Sequence, residues 1–269
     1  MDLQLVRHFW GVDPTPGYTS YLDSWQKVGY SAFETGAGDL TFIKEFKKSS
    51  GWDWIAQVYS PGPVPSLEEH VKGLREAIKL CLGAEPLFIN AHSGADFWSI
   101  SEKIEFYGKM LELEEELGVT ICHETHRGRS LFTPWDTHDV LKAHPQLKLV
   151  VDFSHWVCVS ERLLVGCEES IEAAARQAYY LHARVGYEQG PQVPDPRVEE
   201  YRIYLESHEK WWDKIWKFQS EAGRTSFPVA PEFGPPHYMH TDPQTGKPLA
   251  DLAEICDWMA LRLNKRFSS

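Results

Sequence analysis

Along the chain, short runs of apolar or β-branched residues alternate with longer segments in which apolar positions recur every three to four residues. A short apolar or alternating run suits a strand, whose side chains repeat every two residues, and a longer 3.6-residue rhythm suits an amphipathic helix. The short runs fall at 3–9, 30–35, 54–59, 87–92, 119–124, 147–152, 179–184 and 227–232. Helical patterns fill 19–28, 40–49, 66–82, 99–117, 134–144, a stretch within 160–178, 197–222 and 249–267. Ser66 with Glu69 and Ser99 with Glu102 have the capping-box spacing, and Gly83 and Gly118 follow two helix ends. Regular strand–helix alternation predicts parallel βα units, and eight of them in 269 residues predict one α/β domain over 1–269, a single (β/α)8 TIM barrel.

Composition narrows the class. Hydrophobic residues make up 42% and charged residues 25%, ordinary globular usage, and no apolar run approaches the roughly 18 residues of a spanning helix. The start, MDLQLVRHFWG, reads as a first strand and not as a targeting segment, so the expected setting is the cytoplasm with no membrane partner. Five scattered cysteines without a CxxC pair read as reduced thiols. A net charge of -12 argues against a nucleic-acid partner while leaving room for a small anion held by local arginines.

The stretch TICHETHRGR, 120–129, starts apolar and ends crowded with ionisable groups, and three later strands end similarly. Glu124, Asp152, His182 and Glu232 each stand two residues beyond an inward position, Cys122, Val150, Tyr180 and Ala230, so all four point into the C-terminal mouth. Three carboxylates that close repel one another unless a cation sits between them. Oxygen-rich ligation with one nitrogen fits Mn2+, Mg2+ or Co2+, with Zn2+ possible. One acidic strand end is ordinary; four in phase on consecutive strands predict a metal site.

The strand ends HETHRGR, VVDFSHW, LHARVG and APEFG resemble the metal quartet of the sugar phosphate isomerase/epimerase superfamily, the xylose-isomerase-like barrels, in strand order over nearly the whole chain. That resemblance implies Glu124, Asp152, His182 and Glu232 as metal ligands, and a substrate-facing His155 from the D-x-x-H pattern beginning at Asp152. Two departures separate the chain from relatives of that type. Ser130 stands where ketose 3-epimerases carry a second glutamate, and Tyr59 and Asp195-Pro196-Arg197 stand where apurinic endonucleases carry zinc-binding histidines.

The chemistry expected of this constellation is isomerisation or epimerisation of a sugar or other hydroxy-keto compound through a metal-stabilised enediolate. Glu124 and Glu232 are its acid/base pair, with His155 orienting or protonating a substrate oxygen. A metal-dependent dehydratase or lyase of a keto-sugar or keto-inositol starts from the same enolate and stays open beside it. Phosphodiester hydrolysis calls for a basic, histidine-rich mouth, which the sequence lacks. His92 and Glu34, at the ends of strands four and two, are candidates for the pocket wall, His92 and Arg184 for substrate contacts. Arg127, Arg129, Arg184 and Arg197 offer guanidinium forks for a carboxylate or phosphate. Among eleven tryptophans, Trp10, Trp98 and Trp156 follow strands one, four and six, where a ring stacks on a sugar. Trp211, Trp212 and Trp216 suit packing or a homo-oligomer interface.

Overall fold

Eight parallel strands pair in sequence order, and the last returns to the first, closing a barrel. The computed structural model describes residues 1–62 and 66–267. Its strands are β1 (Asp2–His8), β2 (Tyr30–Gly36), β3 (Asp53–Tyr59), β4 (Phe88–His92), β5 (Ile121–Glu124), β6 (Lys148–Val151), β7 (Ala178–His182) and β8 (Ser226–Ala230). Around them run α1 (Leu22–Val28), α2 (Leu40–Ser50), α3 (Leu67–Leu82), α4 (Ile100–Leu117), α5 (Pro134–Ala143), α6 (Phe153–Ser160), α7 (Glu168–Gln177), α8 (Arg202–Glu221) and α9 (Leu252–Phe267). The expected strands and helices appear within a few residues of their predicted bounds.

Local rules explain most of these boundaries. Ser66 and Ser99 each complete a capping box, so two otherwise unpaired amides are satisfied at the start of α3 and of α4. Gly118 ends α4 in the left-handed conformation that glycine adopts without a Cβ penalty. The inward stripe of α3 is His70, Leu74, Ile78 and Cys81, spaced four, four and three. Fully burying side chains of Leu or Ile size contributes about 1.5–3 kcal/mol each, and this fastens the helix to the sheet.

One element was absent from the sequence reading. The stretch FSHWVCVS forms α6, with Asp152 as its N-cap accepting from the Ser154 amide at 2.9 Å. Helix α6 carries no Asp, Glu, Lys or Arg, and its first five residues, Ser154 and His155 included, are all buried, so no charged face betrays its periodicity.

Two cores result. The larger lies between barrel and helices. The smaller fills the barrel with one inward residue per strand: Val6, Ala32, Ile55, Phe88, Cys122, Val150, Tyr180 and Ala230. The tryptophans of α8 belong to the larger core: Trp211 packs on Phe153 and His208, Trp212 is buried, and Trp216 stacks on Phe267 with ring centroids 4.5 Å apart. Their packing reading holds.

Candidate metal centre and active site

Strand alternation places a second inward set two residues beyond the apolar one, toward the C-terminal mouth. It comprises His8, Glu34, Gln57, Asn90, Glu124, Asp152, His182 and Glu232, all buried. Every strand therefore contributes a polar side chain at this level, whereas the sequence reading extracted the quartet and treated Glu34 only as a candidate wall. Applying the same two-residue step to β1, β2, β3 and β4 finds the other four members.

Glu124, Asp152, His182 and Glu232 each offer one ligand atom within 4.8 Å of the others. The residues fit a cation by a direct test. Glu124 Oε1, Glu232 Oε2 and His182 Nδ1 are buried without a hydrogen-bond partner, and the last two lie 2.9 Å apart without aligned geometry. Orphaned polar atoms are costly in a protein interior, and converging ones are what a bound metal satisfies. His92, Glu124 and His126 form a second trio within the same distance limit.

The quartet is held by its neighbours. Glu34 Oε2 accepts from Tyr180 Oη at 2.6 Å and faces His182 Nε2 at 3.0 Å, while Asn90 Nδ2 bridges Glu34 Oε1 at 2.8 Å and Glu124 Oε2 at 2.9 Å. Burial pushes the Glu34 carboxyl up, but the His182 and His8 imidazoles outweigh it and hold the group below its ordinary value. An ionised carboxylate only accepts, so Nε2 of His182 carries the proton and Nδ1 turns toward the quartet. Changing such a carboxylate partner typically weakens metal binding 10- to 100-fold. Glu34→Gln is expected to lower metal affinity by about that factor, read by competition with a fluorescent chelator. Unchanged affinity shows that Glu34 does not orient the ligand.

Arg184 is the second support. Its Nε and Nη2 reach Asp152 Oδ2 at 3.1 and 2.5 Å, Nη2 lies 3.4 Å from Glu232 Oε2, and the guanidinium sits over Tyr238 at 5.0 Å and Trp10 at 6.0 Å. Burial pushes the Asp152 carboxyl up to about 6, Arg184 opposing and the neighbouring carboxylates reinforcing it. Burial acts the same way on Glu124 and Glu232, but His92 and His182 outweigh it at Glu124, and Arg184 and His182 at Glu232. Both glutamates stay ionised and can act as bases.

Burial pulls His182 down, yet the Glu232, Glu34 and Glu124 carboxylates hold it well above its ordinary value. Without a metal, a proton therefore occupies Nδ1. Metal binding should release that proton, so affinity rises with pH up to the raised value and falls about tenfold per unit below it. Calorimetry in buffers of different ionisation enthalpy checks this; binding without proton release removes His182 from the ligand set.

Above the quartet, Trp10, Gly36, Tyr59, His92, His126 and Arg184 line a cavity of about 440 Å³. Trp10 has room because residue 234 is glycine; a Cβ there would lie 2.1 Å from its ring. The loops that follow β7 and β8 meet here, with Gln192 Nε2 donating to Gly234 O at 3.1 Å and Gln192 Oε1 accepting from Gly234 N at 2.6 Å.

Three expectations need correction. Trp156 is wholly buried, donating Nε1–H to Leu131 O at 3.1 Å, and Trp98 packs against His70 and Phe106 behind the strands. Neither presents a face to the cavity, because each points into the layer between barrel and helices. His155, on α6, is wholly buried behind Arg184, whose Nη2 donates to its Nε2 at 2.7 Å. It supports Arg184 and does not reach a substrate oxygen in this arrangement. His126 is a titratable wall residue that sequence reasoning did not assign to the site. Burial and His92 hold it down at about 3, so its ring is neutral.

No family model and no curated protein matches the chain. Solved structures do. A probable 3-DHS dehydratase from Bacillus anthracis aligns at TM-score 0.62 and 14% identity over 98% of this chain and 99% of that one. A xylose isomerase-like TIM barrel protein from Mycobacterium smegmatis in complex with magnesium gives 0.60 and 11% over 100% and 98%. A sugar phosphate isomerase/epimerase from Parabacteroides distasonis gives 0.59 and 11% over 99% and 93%. At these identities the likeness is one of fold: the chain shares the closed (β/α)8 barrel of these structures.

Proposed function

We propose that this xylose isomerase-like barrel is a divalent-metal-dependent isomerase or epimerase of a hydroxy-keto carbohydrate. The observation that carries the reading is the convergence of three buried carboxylates and one imidazole, with orphaned ligand atoms, at the floor of a mouth cavity. Solved structures of the same fold include a sugar isomerase/epimerase and a magnesium complex, in keeping with it. Glu124, Asp152, His182 and Glu232 would hold Mn2+, Mg2+ or Co2+, with Zn2+ also suited to the set. When bound, the ion supplies Lewis-acid stabilisation of the charge that develops on a carbonyl oxygen.

The chain's own residues do the rest. Glu124 and Glu232, both ionised, would take a proton from the carbon beside the carbonyl and return one. Return to the same carbon from the other side epimerises; return to its neighbour isomerises. Trp10 and His92 line the cavity wall, His92 with its Nε2 2.8 Å from Glu124 Oε2. Five free cysteines, four of them buried, suit the reducing cytoplasm. We place its substrate among small carbohydrates, with neither nucleic acid nor membrane as partner; a homo-oligomer is compatible.

A dehydratase of a keto-sugar or keto-inositol begins with the same proton abstraction, and one solved structure of this fold is a probable dehydratase. Elemental analysis with a deuterium-exchange assay in D2O across ketoses, keto-acids and inososes tests the reading. Solvent deuterium beside the carbonyl with carbon skeleton and oxygen count intact supports isomerase chemistry, and loss of water marks the dehydratase. Absence of both exchange and turnover across the panel with metal bound sinks the proposal.

A further inference from the structure

The four guanidinium forks that the sequence offered for an anion are not equivalent in the fold. Arg184 is spent on Asp152 and Glu232. Arg197 is paired with Asp195 at 2.9 Å and Glu254 at 3.4 Å. Arg127 lies over the Tyr238 ring at 5.0 Å. Arg129 alone of the four lines the cavity with no ion pair, cation–π contact or side-chain hydrogen bond recorded among the described residues. Only its backbone amide is engaged, to His126 O at 3.2 Å.

Its position explains why this matters. Residues 126–129 turn tightly after β5, with Gly128 in the left-handed region, and bring the Arg129 side chain to the β3–β4 side of the cavity beside Tyr59. The chain is half-buried there. Burial pulls its guanidinium below the ordinary value, and Tyr59, Glu124, Tyr107 and Asp96 act on it only through space without reversing that pull. A partly desolvated cation without a partner, facing a cavity, is poised for an anion brought by the ligand.

We propose that the substrate carries an oxyanion group, a carboxylate or a phosphate, which Arg129 binds while the hydroxy-ketone end faces Glu124 and Glu232. This rests on the enolisation reading above and adds the class of substrate. An arginine fork matches both oxyanions in two-point geometry, whereas a lysine supplies charge without the fork. The unpaired Arg129 is then the specificity determinant, and neutral ketoses are poor substrates.

The test uses the full-length, Mn2+-loaded protein with D-fructose, D-fructose 6-phosphate and 5-keto-D-gluconate, following deuterium exchange beside the ketone. The wild type should favour an anionic member by kcat/KM, and the favoured one names the group. Losing a hydrogen bond to a charged group corresponds to about a 10- to 100-fold effect. Arg129→Met should reduce the anionic-over-neutral ratio by that much, chiefly through KM, with Arg129→Lys intermediate. A wild type that prefers fructose, or a ratio unmoved in Arg129→Met, overturns the proposal. A second measurement is independent of catalysis: titration calorimetry of glycolate and inorganic phosphate into the metal-free full-length protein. If no ketose exchanges, the enolisation reading fails by itself. Weaker binding of either probe to Arg129→Met than to wild type then upholds the anion site, and equal or undetectable binding to both overturns it.

Discussion

Replacing Glu232 by glutamine should lower turnover about 10²- to 10⁴-fold while binding falls much less, and Glu124→Gln should do likewise. Both side chains are buried and ionised, and each leaves one carboxylate oxygen without a hydrogen-bond partner toward the quartet. Glutamine keeps an oxygen for a metal and nearly the same volume, but an amide cannot accept a proton near neutral pH. The loss therefore falls on the proton transfer. Solvent exchange on the best substrate of the panel reads the chemical step, and chelator competition reads metal retention. If one variant abolishes exchange from one epimer and the other from its partner, the faces are assigned. Near-normal exchange in both variants means that neither glutamate is the base. The next candidate is then His126, whose neutral ring lines the cavity.

The second large effect concerns Arg184. Its guanidinium is enclosed by Asp152, Glu232, Ser154 and His155, with aromatic rings on its outer side. Removing one member of a buried ion pair typically costs about 3–5 kcal/mol, because the other is left charged and desolvated. Arg184→Met, close in length and uncharged, should destabilise the metal-free protein by about that amount in urea unfolding. A bound divalent ion neutralises the same carboxylates, so adding Mn2+ should recover much of the loss. A metal-free variant as stable as wild type shows that Arg184 is not the counter-charge of the quartet; a loss that metal leaves untouched shows that its role is packing.

The sequence by itself determined the architecture and the floor of the site. Two-residue alternation in short apolar runs and 3.6-residue spacing between them are local properties of the chain, and they specify eight βα units before any contact is known. The same alternation put Glu124, Asp152, His182 and Glu232 at one level, because an inward position two residues beyond an apolar one must face the barrel axis. His8, Glu34, Gln57 and Asn90 were legible by that rule as well.

What only the tertiary structure decided is which polar groups find one another and which aromatic rings see the cavity. Trp10, Trp98 and Trp156 occupy similar places after their strands, yet Trp10 alone of the three lines the mouth. The space opposite Trp10 depends on Gly234, more than two hundred residues away. His155 follows Asp152 by three residues, but helix α6 carries it behind Arg184. Four arginines looked alike as anion forks; the partners at Asp152, Asp195 and Tyr238 leave Arg129 as the one without a counter-charge or a ring among the described residues. Strand periodicity is set by backbone geometry over a few residues, so it is readable locally. Arg197 with Asp195, two residues apart, is a local pair, but the other pairings and exposures depend on groups brought together by barrel closure, such as Arg184 with Asp152, 32 residues apart, and those separations carry no local signal.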